Sequence, residues 1–138
     1  MSIVNRSEGY NPDFDLDIER GWVAEKELRA VLGELFEGGD RVEVKRDDRA
    51  LETGNVYLEK SHKPRGSDIY KPSGLKDTKA EYFGFKIGNV LLVAPTQAWR
   101  YVGNKYGEPK ACVVGDNPTK GAVVPLIDLI VRLSQAPF

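Results

Sequence analysis

The sequence predicts a single α/β domain with a mixed central sheet flanked by helices. Three observations carry that reading: one long apolar stripe of helical period, two segments that alternate with period two, and a pair of apolar runs joined by Gly88-Asn89. At 138 residues the chain can bury about two-thirds of its unfolded surface in one core. Its 41% hydrophobic and 30% charged residues speak against both disorder and a membrane protein.

In chain order, residues 1–16 show no sustained period and carry Gly9 and Pro12, so they read as an N-terminal arm preceding a domain over 17–138. A helix is expected over about 18–37. Ala24, Leu28, Val31, Leu32 and Leu35 fall on one face, and Gly38-Gly39 ends it. Arg41 to Asp47 alternates, with Val42 and Val44 on one side and Glu43, Lys45 and Asp47 on the other. After a loop, Asn55 to Ser61 alternates again, with Val56 and Leu58 opposite Asn55, Tyr57, Glu59 and Ser61. These two strands are expected to pair as antiparallel neighbours. Thr53-Gly54-Asn55 reads as a turn that needs permissive backbone angles.

Residues 62–77, rich in Lys, Pro, Gly and Ser, read as an exposed loop, with a short helix near 75–80. YFGFKI and NVLLVAP form a hairpin whose second arm is apolar enough for a central strand. Thr96 is expected to cap a helix running to about Val102. ACVV, a polar turn GDNPTKG, and a short strand then lead to a helix packed by Leu126, Leu129, Ile130 and Leu133. Trp22, Trp99 and Tyr101 read as core or helix-face residues, and Cys112 as a small buried hydrophobe.

The N-terminus is polar rather than signal-like and no apolar run is long enough to span a bilayer, so cytoplasmic residence is the expectation. One cysteine and one histidine, His62, exclude a thiolate or imidazole metal cluster, so a metal would be held by oxygen. His62, among lysines and a proline, reads as a surface residue. Residues 1–40 hold ten acids against four bases, whereas 60–79 hold six bases against two acids. The second stretch is a candidate attraction for phosphate. Hydrolysis of a phosphodiester by a divalent cation needs oxygen ligands, and a basic group nearby helps to bear developing negative charge; alternation puts Lys45 and Asp47 on one strand face and Glu59 on the next strand, so the two carboxylates converge if those strands pair.

The runs E43-V-K45-R-D47, T53-G54-N55-V-Y-L-E59 and P72-S73-G74-L-K-D-T78-K-A80 resemble small phage-type and bacterial proteins of the PD-(D/E)XK nuclease superfamily. G21-W-V-A-E25 is similar to the first-helix glutamate motif of its Holliday junction resolvase branch. The likeness spans about residues 17–94. It implies a restriction-endonuclease-like fold and Mg²⁺- or Mn²⁺-dependent endonuclease hydrolysis of DNA, and it admits a homodimer. It further implies that Asp47 and Glu59 are metal ligands, with Glu25 assisting. Position 61 is Ser where the motif carries its lysine. Lys45, on the same strand face as Asp47, is taken as the migrated lysine, since Lys60 should face the other way.

Glu43-Val44-Lys45 is itself an E-x-K triplet and forms a rival register, ranked second because no strand-borne aspartate lies suitably upstream. In a tight hairpin Glu43 would also stand nearly opposite Glu59. Lys60, Lys63, Arg65, Lys71, Ser73, Lys76 and Thr78 are the candidates for holding the nucleic-acid backbone. Ser73, Gly74 and Thr78 admit helix-start chemistry equally well. The alternative is a non-catalytic nucleic-acid-binding or phage interaction protein on the same fold.

Overall fold

The computed structural model describes residues 22–23, 25–30, 32–33, 41–114 and 117–137. The chain divides into two units, Met1–Gly38 and Gly39–Phe138. In the first unit the described residues between 22 and 33 are helical (α1), with the side chains of Trp22, Val23 and Leu28 exposed. The expected arm over 1–16, and Ala24, Val31 and Leu35 of the expected stripe, lie outside the described residues.

The second unit holds two sheets where one mixed central sheet was expected. A three-stranded sheet has the order β1 (Val42–Arg46), β4 (Tyr82–Ile87), β5 (Val90–Pro95), and a four-stranded sheet the order β3 (Lys71–Pro72), β2 (Asn55–His62), β7 (Asn117–Pro125), β6 (Glu108–Val114). The pairing expected between β1 and β2 does not form. β1 runs parallel to β4, with Glu43 opposite Phe83 and Lys45 opposite Phe85, so Glu43 does not stand opposite Glu59. The reason lies in the chain between them. Ala50–Thr53 winds into a helical turn (α2) with Ala50 fully buried, and Gly54 ends it at φ 73°. Only a residue without Cβ takes that angle freely, so the chain is redirected into the other sheet.

β4 and β5 form the predicted hairpin through Gly88, whose φ is 57°. The apolar run of β5 is nevertheless an edge strand with Val90 and Leu91 exposed, and β4 is central, its Phe83, Phe85 and Ile87 buried. Pairing with β1 on one edge and β5 on the other satisfies the backbone N–H and C=O groups of these buried residues.

α3 (Thr96–Tyr106) extends a turn beyond the predicted stop. Pro95, not Thr96, occupies the capping position, and the Thr96 hydroxyl donates instead to the Ala80 carbonyl at 2.6 Å. The helix continues through Gly103 because a Cβ there would lie 2.9 Å from Leu58 Cδ1, so the absent side chain lets α3 press onto β2. Trp99, fully buried, donates to the Phe83 carbonyl at 2.6 Å and stacks edge-on against Phe85 at 5.1 Å. α3 thereby joins both sheets through one core of Val56, Leu58, Phe83, Trp99, Val102 and Val124.

Most of the segment read as a polar turn after Val114 belongs to β7, paired on both sides, with Thr119 buried. α4 (Leu129–Ser134) buries Leu129 and Leu133, but Ile130 is exposed. In place of the short helix expected near 75–80, Gly74–Lys76 makes one 3-10 turn. Among the described residues no helix is long and apolar enough to cross a membrane.

Candidate functional site

A cavity of about 540 Å³ opens where the two sheets meet, lined by Lys45, Asp47, Tyr57 and Glu59 among others, with Phe83 and Phe85 also in its lining. Asp47 and Glu59 therefore reach one cavity from different sheets rather than from paired neighbours. Asp47 follows β1 directly, and its amide donates to the Lys86 carbonyl at 3.1 Å, which continues the β1–β4 ladder. Its Oδ2 accepts the Tyr57 amide at 3.1 Å. β3 covers β2 only at Ser61 and His62, so at Tyr57 that edge has no strand partner and the Asp47 carboxylate stands in for one.

Glu59 Oε2 accepts from the Ser73 hydroxyl at 2.7 Å. The segment carrying Ser73 is pressed against Glu59. Gly74 has φ 55°, and a Cβ built on it would lie 2.5 Å from the Glu59 carbonyl oxygen. Arg100 of α3 holds this turn in place by donating to the carbonyls of Leu75 (3.1 Å) and Thr78 (2.9 Å). The capping role left open for Ser73 is not what its hydroxyl does, since it makes no cap bond. Each carboxylate thus has one oxygen fixed by a hydrogen bond and one, Asp47 Oδ1 or Glu59 Oε1, that accepts none among the described residues.

Lys45 pairs with Glu43 Oε1 at 3.1 Å, and Glu43 Oε2 is buried without a partner among the described residues. The ladder slips between Glu59 and Ser61, a bulge at Lys60. Lys60 turns toward α3 and donates to Asn104 at 3.2 Å. Ser61 lines the second cavity with Lys60 and Asn104, not the first. The bulge therefore removes position 61 from the alternation assumed for it, and a lysine there would not follow Glu59 into the cleft.

Tyr57 was placed on this face by alternation without a role. Its hydroxyl lies 2.9 Å from Thr119 Oγ1, which donates to the Cys112 carbonyl at 3.2 Å. Either hydroxyl of the first pair can be the donor. Burial pushes the Tyr57 phenol above its ordinary range, the bond to Thr119 acts in the opposite direction, and the nearby Cys112 and Glu59 add to the rise. Cys112 is half-buried and lines the cavity.

The other sequence candidates of the second unit are not part of this lining. Lys63 sits 5.7 Å from the centre of the Tyr70 ring, which Lys120 approaches to 4.2 Å. Arg65, Lys71 and Lys76 are exposed, and Thr78 Oγ1 accepts the Ala80 amide at 3.2 Å. His62 is half-buried, with Nδ1 unpartnered among the described residues. Glu25 belongs to the N-terminal unit, where it pairs with Arg29 across one helical turn at 2.7 Å.

No group of three or more His, Cys, Asp or Glu side chains suited to a metal is assembled among the described residues. The carboxylate oxygens in this lining without a hydrogen bond among the described residues are Asp47 Oδ1 and Glu59 Oε1, the hard oxygen type that a divalent cation takes. Comparison with protein-family models, curated proteins and solved structures finds no match.

Proposed function

We propose that this chain hydrolyses phosphodiester bonds in DNA with a divalent cation, Mg²⁺ or Mn²⁺, held by Asp47 and Glu59 on a restriction-endonuclease-like scaffold. The observation that carries the reading is the joint lining of one open cavity by Lys45, Asp47 and Glu59, with both carboxylates oriented by hydrogen bonds. When bound, the cation supplies Lewis acidity toward a phosphate oxygen and lowers the pKa of water.

The chain's own groups do the rest. The Tyr57 amide and the Ser73 hydroxyl hold the two carboxylates in register. Lys45 is the cation of β1 that can bear charge developing on the phosphate. Its ion pair with Glu43 is half-exposed and so costs little to part. Phe83 and Phe85 add an apolar part to the same lining, which lowers the local polarity in which the carboxylates act.

The test is Asp47→Asn. Asparagine keeps an oxygen to accept the Tyr57 amide, so the fold survives while the ligand charge is lost. We expect Mn²⁺ binding by calorimetry to vanish and DNA cleavage to fall at least about 10²-fold. Cleavage at the wild-type rate by this variant removes the assignment. A protein that shifts labelled DNA on a gel, never cuts it and never binds Mn²⁺ is instead a non-catalytic binding module.

A further inference from the structure

Six of the residues lining the main cavity carry full charges: Lys45, Arg46, Arg49 and Lys110 against Asp47 and Glu59. Two of the cations are already answered by acids outside the lining, Lys45 by Glu43 at 3.1 Å and Arg46 by Asp48 at 2.7 Å. The remaining two, Arg49 and Lys110, make no ion pair or side-chain hydrogen bond among the described residues. They do not turn to Asp47 or Glu59 although all four line the same space.

Arg49 and Lys110 reach that lining from different elements. Arg49 stands two residues beyond Asp47, at the start of α2. Lys110 lies on β6, and the register runs from Glu59 through Gly121 of β7 to Lys110. Directly paired residues share a sheet face, and two strand spacings put the Lys110 backbone roughly 10 Å from Glu59. Position 121 between them offers no side chain, because a Cβ there would collide with the Leu58 carbonyl and lie 3.0 Å from Glu59 Cα. The space between Glu59 and the Lys110 ammonium is therefore bare main chain. One unanswered cation thus follows Asp47 by two residues and the other stands in register with Glu59.

We infer that Arg49 and Lys110 form a two-sided phosphate clamp that holds a DNA strand across the cavity. One cation takes the phosphate preceding the position between Asp47 and Glu59, and the other takes the phosphate following it. The identity of the anion rests on the phosphodiesterase reading; the clamp itself rests on the two unanswered cations. Once a divalent cation neutralises the two carboxylates, the lining retains two positive charges, which a polyphosphodiester answers and a neutral ligand does not. The guanidinium can grip phosphate through two parallel bonds, whereas the ammonium acts as a point charge.

The experiment measures anisotropy of a labelled DNA oligonucleotide titrated with the full-length protein over a series of salt concentrations, in EDTA and in Mn²⁺. Arg49→Ala and Lys110→Ala should each weaken binding about tenfold at low salt and lower the salt slope by about one. Lys110→Arg should restore most of the affinity. Both side chains are exposed, so circular dichroism should show an unchanged fold. Wild-type affinity and slope in both alanine variants overturns the clamp, as does the absence of DNA binding by the unaltered protein. If the alanine variants lose DNA while the unaltered protein neither binds Mn²⁺ nor cleaves, the clamp stands and the phosphodiesterase reading falls. If they bind normally while Asp47→Asn abolishes cleavage, the reverse holds.

Discussion

Tyr57 concentrates three roles at one position: its amide fixes Asp47, its phenol leads to Thr119 and Cys112, and its ring lines the cavity. Because burial raises its phenol above the ordinary value near 10, the folded protein holds that proton after the unfolded chain has lost it. The unfolded state then binds fewer protons, so stability is full below about pH 10 and declines as pH rises above it. Tyr57→Phe should flatten this alkaline decline in urea midpoints measured from pH 8 to 11, while lowering stability uniformly below it through the lost bond. Gly74 is the second exacting position. Gly74→Ala must adopt φ 55° and push against Glu59, which should cost at least about 2 kcal/mol by urea denaturation. Period-two alternation puts Lys45 with Asp47 and Tyr57 with Glu59 on shared strand faces, because a strand face needs no tertiary knowledge, whereas a metal-binding role for Asp47 and Glu59 is what the resemblance implies. Arg49 and Lys110 were not legible in this way. Arg49 sits in what reads as a loop, and Lys110 gains its place only from pairing across β7, which no local pattern announces.

At the scale of elements, alternation located β1 and β2, and turn chemistry at Gly88-Asn89 located the hairpin. What sequence reading missed was which strands are neighbours. Proximity along the chain favoured β1 beside β2, but the buried helical turn at Ala50 and the left-handed Gly54 steer them into different sheets. The length of β7 was missed for a related reason: Asn117–Gly121 has turn composition, yet pairing with β6 throughout and with β2 from Thr119 onward overrides it. The bulge at Lys60 was equally silent and governs where residue 61 goes. Ser61→Lys should therefore not raise cleavage in a fixed-time DNA assay, since that position lines the second cavity. A large gain in rate would show that the side chain reaches the cleft.

Across the whole second unit, one helix unites the two sheets, and Trp99 is its deepest attachment. Trp99→Phe shortens the side chain and removes the indole bond to the Phe83 carbonyl, which should cost about 2–4 kcal/mol. Thermal unfolding followed by far- and near-ultraviolet circular dichroism should stay coincident in this variant, because neither sheet keeps a core without α3. Among the described residues, the cleft walls that carry Asp47 and Tyr57 are linked by the bond from the Tyr57 amide to the Asp47 carboxylate, not by a strand ladder. That arrangement makes a single exchangeable proton a gauge of how tightly the halves of the cleft are closed. Any event that spreads the walls must release that proton to solvent while its neighbours along β2, bonded to β7, stay shielded.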